Sequence, residues 1–176
     1  MEINIHEATE VDLPAILSLY AQLGQDDGSV LDLADAGRIF ARMQTYPDYR
    51  LYVARFDGRV VGTFALLIMD NLGHRGARSA ILEDVVVADG MRGHGIGKAM
   101  MASASNFCRA KNCYKMALSS NRNREAAHRF YESLGFEQHG FSYLTHFGCP
   151  EKFSSGGGAL DALEAQLNAQ SEGDAR

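Results

Sequence analysis

Between residues 92 and 98 the chain reads Arg-Gly-His-Gly-Ile-Gly-Lys, three alternating glycines flanked by two cations. Glycine lets a backbone approach a ligand closely, and the first N–H groups of a helix have no intrahelical partner. If Gly93, Gly95, Ile96 and Gly97 lead into a helix, those donors and the positive end of the helix dipole form an anion site. Such a site suits a pyrophosphate, and Arg92 and Lys98 add charge to it. Two common nucleotide loops do not fit. A Walker loop needs glycine where Arg92 stands and Ser or Thr where Ala99 stands. A Rossmann loop needs G-x-G-x-x-G, whereas Gly93, Gly95 and Gly97 give G-x-G-x-G. His94 reads as loop filler.

Other chemistry is sparse. The six histidines form no HxxxH or HExxH pair, so no metal site is expected. Cys108, Cys113 and Cys149 form no CxxC pair and leave an odd count, the pattern of a reducing compartment. A net charge of −5 offers no broad basic surface, which argues against a nucleic-acid partner. The longest apolar stretch, Val60 to Met69, is too short to cross a bilayer. The acidic start MEINIHEATEVD lacks the pattern of a signal peptide, so a cytoplasmic location is expected.

The elements that must position the loop follow from periodicity. With 176 residues, 46% of them hydrophobic, the chain suits one domain. Ile3 to Ala8 alternates and predicts a strand. A helix follows, with Pro14 in its first turn and an apolar stripe at Ile16, Leu19, Tyr20 and Leu23. A second helix runs from about Leu31 to Met43, before Pro47. Leu51 to Phe56 and Arg59 to Met69 are strands joined by Asp57-Gly58, a two-residue hairpin signal. Ser79 to Val87 is an apolar run suited to the middle of a sheet. The glycine loop then leads into a helix, about Gly95 to Lys111. Lys115 to Ser119 predicts a short strand, and Asn123 to Leu134 a helix closed by Gly135. Phe136 and Phe141 to Phe147 read as closing strands. Residues 151–176 carry a Gly-rich linker and a short amphipathic helix over Ala159 to Ala169, outside a domain spanning 1–150.

Taken in order, Glu83-Asp84-Val85-Val86-Val87, Arg92-x-x-Gly95-x-Gly97, Asn123 and Phe130-Tyr131-Glu132-Ser133-Leu134-Gly135-Phe136 closely resemble the GCN5-related N-acetyltransferase family. The resemblance spans residue 3 to about 147. It implies an α/β fold: a mixed, splayed sheet of six or seven strands flanked by helices, opened to admit acetyl-coenzyme A. By the same resemblance Arg92 to Lys98 would cradle the pyrophosphate, and the backbone of Val85 to Val87 would pair with the pantetheine arm. Asn123 and Tyr131 fall where the family contacts the cofactor near its sulfur. It also implies a homodimer and a small amine acceptor, similar to those of amino-sugar-phosphate and aminoalkylphosphonate acetyltransferases.

The implied chemistry makes demands that these residues can meet. An alkylamine with a pKa near ~10 must lose a proton before it attacks a thioester. Strand alternation would send Glu83 and Asp84 to opposite faces, so one of them should reach the amine; Glu83 is the expected base and Asp84 the alternate. Tyr131 could protonate the departing thiolate. His74, Arg75 and Arg78 lie in the loop feeding that strand, so Arg75 and Arg78 are candidates for holding an anionic substrate, or are simply a solvated loop. Protein or peptide acetylation, and a non-catalytic acyl-coenzyme A sensor, are the competing functions.

Overall fold

The computed structural model describes residues 2–23 and 28–145. Strand β1 (Ile3–Glu7) is followed by helices α1 (Leu13–Ala21) and α2 (Leu33–Met43). Then come β2 (Tyr49–Phe56), β3 (Arg59–Met69), β4 (Arg78–Val87), α3 (Ile96–Ala110), β5 (Cys113–Leu118) and α4 (Glu125–Ser133). The five strands form one sheet in the order β1-β2-β3-β4-β5. The first four pair antiparallel, and β5 lies parallel to β4 after the α3 crossover. The β2–β3 hairpin turns at Asp57 and Gly58, which take φ of 47° and 77°. Two successive positive φ values match the twist of the flanking strands.

Alternation along the strands divides the core between the two faces of the sheet. Phe64, Leu66, Ala80 and Leu82 meet Ile96, Met100 and Ala104 of α3. On the opposite face Leu51, Val53 and Ala65 meet Leu13, Ile16 and Phe40 of α1 and α2. The start of α1 is tied to the sheet by charge. Asp12 is 2% exposed, and its Oδ2 accepts the Thr9 N–H and hydroxyl at 2.9 and 3.0 Å. Its Oδ1 pairs with the Arg55 guanidinium on β2, which also donates to the Gly58 carbonyl at 3.0 Å. A buried carboxylate needs such partners, because its desolvation is otherwise uncompensated.

The expected strand count is reduced. No strand occurs between Phe136 and Thr145, where the run Glu137-Gln138-His139-Gly140 has low strand propensity. The rest of the expected closing strand, and the linker and helix expected in 151–176, lie outside the described residues. Among the described residues no helix is long and apolar enough to cross a membrane.

β3 and α3 approach most closely at Gly62. A Cβ there would stand 2.8 Å from the Met100 sulfur and 3.1 Å from the Val86 carbonyl oxygen. Met100 can rotate, but the backbone of β4 cannot. Gly62→Val is therefore expected to destabilise the domain by about 1–3 kcal/mol through overpacking. Urea unfolding checks this, with a lower midpoint and an unchanged slope expected.

Candidate active site

The geometry of the site begins with a register shift in β4. Thr63 pairs with Val86 and Ala65 pairs with Glu83, so Asp84 and Val85 together stand opposite Phe64. This is a β-bulge, and Asp84 takes the left-handed conformation, φ 52°, that Asp tolerates better than most residues. Alternation is broken there. Leu82 and Val85, three residues apart, both pack on the α3 side. Glu83, paired with Ala65, lies on the α1–α2 face. Asp84 lines a cavity on that same face. The expectation that the two carboxylates point to opposite faces is thus overturned by the extra residue. Burial raises the pKa of both above the ordinary carboxylate value, and the charge of Asp84 adds to the shift of Glu83.

Beyond the bulge the sheet opens. The β4–β5 ladder ends at Leu82 opposite Leu118, while β4 continues along β3 to Val87. The edge of Val85–Val87 that faces away from β3 has no strand partner among the described residues. Next to it lies the start of α3. Gly93 and Gly95 take φ of 80° and 79°, and a Cβ on either would meet nothing within 4 Å. No side chain caps α3, whose N-cap is Gly95, so its first N–H groups remain free for an anion. Arg92 is exposed and pairs with Asp89 at 2.5 Å, and the Arg92 carbonyl lies 3.1 Å from Nδ1 of His94.

The third glycine serves packing. A Cβ on Gly97 would stand 3.0 Å from the Phe130 ring, so glycine lets α4 seat on the first turn of α3. That contact holds Tyr131 beside the same core, where it packs edge-on to Phe136. Burial pushes the Tyr131 phenol above its ordinary pKa, against the charge of Arg124. The turn before α4 is built on Asn121, whose side chain accepts the Asn123 N–H at 3.0 Å. Just past the end of β5, the buried Ser120 hydroxyl has no hydrogen-bond partner among the described residues.

On the other face, α1, α2 and the sheet enclose a cavity of about 380 Å³ that reaches Asp84. Tyr20 and Tyr49 line it beside that carboxylate. Burial raises the Tyr20 phenol, the charges of Asp84 and Tyr49 raise it further, and hydrogen bonding with Thr63 opposes them. Burial also raises Tyr49, assisted by Asp84 and then Glu83. Neither tyrosine was marked by a motif: Tyr20 sits in an apolar stripe that reads as core, and Tyr49 precedes the strand expected from Leu51, in the two residues by which β2 starts earlier.

The structure does not bring Arg75 and Arg78 to this end. Arg78 opens β4, five residues and roughly 17 Å before Glu83. Its Nε is held by Asp70 at 2.7 Å. Arg75 stands with it around an open hollow that also includes His74 and Lys111. Among the described residues no cluster of His, Cys, Asp or Glu could hold a metal ion.

The chain as a whole is similar to known proteins. A family model described as "Acetyltransferase (GNAT) family" matches residues 14–136. The chain belongs to this acetyltransferase family. A glucosamine 6-phosphate N-acetyltransferase of Trypanosoma brucei brucei is 40% identical over 82 residues, 47% of this chain and 54% of the relative. The match thus spans about half of that relative's length. An aminoalkylphosphonate N-acetyltransferase of Salmonella typhimurium is 29% identical over 140 residues, 80% of this chain and 88% of the relative. A solved Trypanosoma brucei acetyltransferase superimposes with a TM-score of 0.68 at 28% identity, covering 83% of this chain and all of that one (100%).

Within this GNAT domain the raised pKa of Asp84 has a definite sign. A carboxyl that holds its proton more tightly when folded opposes folding at neutral pH, and that penalty begins to shrink as pH falls through its raised folded pKa and is gone below its ordinary unfolded one. Asn also tolerates positive φ, so Asp84→Asn keeps the bulge. The variant should melt above the parent at pH 7, with the difference shrinking as pH falls into the ordinary carboxylate range. Calorimetric scans over that range check it.

Proposed function

We propose that this domain transfers an acetyl group from acetyl-coenzyme A to a primary amine of a small molecule, by direct attack in a ternary complex. The observation that carries the reading is the parting of β4 from β5 directly beside the uncapped start of α3. The residues present fit such a cofactor. Open space over Gly93 and Gly95 admits phosphate oxygens against the backbone, and the partnerless Ser120 hydroxyl offers a polar contact nearer the strands. The amino-sugar-phosphate and aminoalkylphosphonate activities named for the relatives support a small-molecule acceptor.

In this reading acetyl-coenzyme A, when bound, supplies the activated acetyl thioester. Gly93, His94, Gly95, Ile96, Gly97 and Lys98 receive the pyrophosphate on backbone N–H groups, with Arg92 and Lys98 as counter-charges. Val85, Val86 and Val87 offer the free β4 edge to the pantetheine amides, as an added strand would use it. Glu83 takes the proton from the acceptor ammonium, directly or through water. A raised carboxyl pKa suits it to that task, because a base works best when its pKa approaches the working pH. Tyr131 delivers a proton to the leaving sulfur, and Asn123 contacts the cofactor near that sulfur. The same reading extends to a cytoplasmic homodimer, as the family implies; sedimentation tests the dimer.

A thiol-release assay over a panel of amines, paired with calorimetry of acetyl-coenzyme A binding, tests the proposal. Glu83→Gln and Tyr131→Phe should each lower kcat by roughly 10²-fold with cofactor affinity nearly unchanged. The acid limb of the kcat–pH profile should lie above the ordinary carboxylate range in the parent and vanish in Glu83→Gln. Arg92→Ala should weaken cofactor binding by about 1–2 kcal/mol, since one charge-assisted contact is lost and the backbone donors stay. Undiminished turnover in Glu83→Gln would move the base to Asp84 or to water.

A further inference from the structure

Acceptor chemistry can be read from the cavity on the α1–α2 face, because its walls are lopsided. Leu17 and Leu23 from the α1 side, and Ile39 and Met43 from α2, present hydrocarbon to it. Among the described residues that line it, Asp84 is the only charged one, and no lysine, arginine or histidine is present. The basic groups Arg75 and Arg78 stand at the far end of β4, around a separate hollow.

From this arrangement we propose that the acceptor is a primary amine on an apolar body, an alkyl- or arylalkylamine, with its ammonium held by Asp84 and its hydrocarbon in the cavity. The inference rests on the acetyl-transfer reading and narrows it. A phosphate or phosphonate carried on the amine would have to enter a space whose one charge is negative and whose walls cannot donate hydrogen bonds beyond the hydroxyls of Ser29, Tyr20 and Tyr49. An ammonium meets the opposite situation. It gains a carboxylate partner at the mouth of the bulge, next to Glu83, where its proton is to be removed. The volume of about 380 Å³ falls in the range of small-molecule sites, and hydrocarbon walls with one polar anchor are how such sites fix orientation. Asp84 here is an anchor, distinct from the base.

The test compares kcat/KM by thiol release for three kinds of amine. These are an n-alkylamine series from propylamine to hexylamine, 2-phenylethylamine, and the pair glucosamine 6-phosphate and 2-aminoethylphosphonate. The alkyl series should gain up to about fourfold per methylene, the factor that about 0.8 kcal/mol per buried CH2 gives, until the cavity is full. Both apolar amines should exceed the phosphorylated pair at least tenfold. Asp84→Asn should raise KM for hexylamine at least tenfold while leaving the inhibition constant of hexanol unchanged, since the alcohol uses the walls and not the charge. A flat alkyl series, or a phosphorylated amine preferred over hexylamine, overturns this inference and leaves acetyl transfer standing. If acetyl-coenzyme A fails to bind, or no amine in any group is acetylated, the acetyl-transfer reading falls and this inference with it. Loss of hexanol inhibition together with amine turnover in Asp84→Asn would mean that the residue holds the cavity's shape and not the ammonium, and would also overturn the proposal.

Discussion

One extra residue in β4, placed at Asp84, organises both sides of the sheet. Because Asp84 and Val85 share a single partner on β3, the strand bends and its twist increases locally. On one face the bend puts both carboxylates on the α1–α2 side, with Asp84 lining the cavity there. On the other edge β4 leaves β5 at Leu82, and a strand that is central in its first half becomes an edge in its second. An unpaired edge inside a protein is normally a liability, to be covered or charged. Here it lies between a helix start with uncapped N–H groups and a helix that carries a half-buried tyrosine.

The glycines of the motif divide between two physical roles. Gly93 and Gly95 adopt positive φ and keep the space above the helix start clear. Gly97 is inside α3 and needs no unusual backbone; what it supplies is the absence of a side chain beneath Phe130. Gly62 does the same between β3 and α3. Small residues thus bring α3 close to the sheet on one side and α4 close to α3 on the other. The glycine loop thus precedes a helix clamped between elements that it touches, the kind of support that a binding geometry requires.

Most of this architecture could be read from residue order. Asp57-Gly58, the alternation of Ile3 to Ala8, the apolar run before Val87 and the closing Gly135 each specify a local conformation, and the elements lie where those signals put them. The bulge was not legible, because Glu83-Asp84 in an apolar strand looks the same whether or not a residue is looped out. Asp84 is not even a glycine, so its positive φ leaves no mark on the sequence. Tyr20 was hidden for a related reason: an amphipathic stripe tells which face of an element is apolar, not whether that face meets a filled core or a cavity; Tyr49 fell just before the strand expected from Leu51. The separation of Arg78 from Glu83 was likewise hidden, since proximity along a strand becomes distance when the strand is extended.

Sheet order and chain order coincide from β1 to β5, and this bears on how the domain assembles. β2 and β3 close across a two-residue turn, and the neighbouring antiparallel pairs also join strands adjacent in sequence. β5 is different. It runs parallel to β4 and pairs with it across a connection that holds α3, as β1 pairs with β2 across a longer one that holds α1 and α2, so both outer ladders carry a loop-closure cost that the hairpin does not. The joint at which the sheet parts is held by five pairs, fewer than join β2 to β3 or β3 to β4. A molecule seated there touches two strands that the chain itself joins only through α3, so its binding free energy adds to the stability of the folded domain.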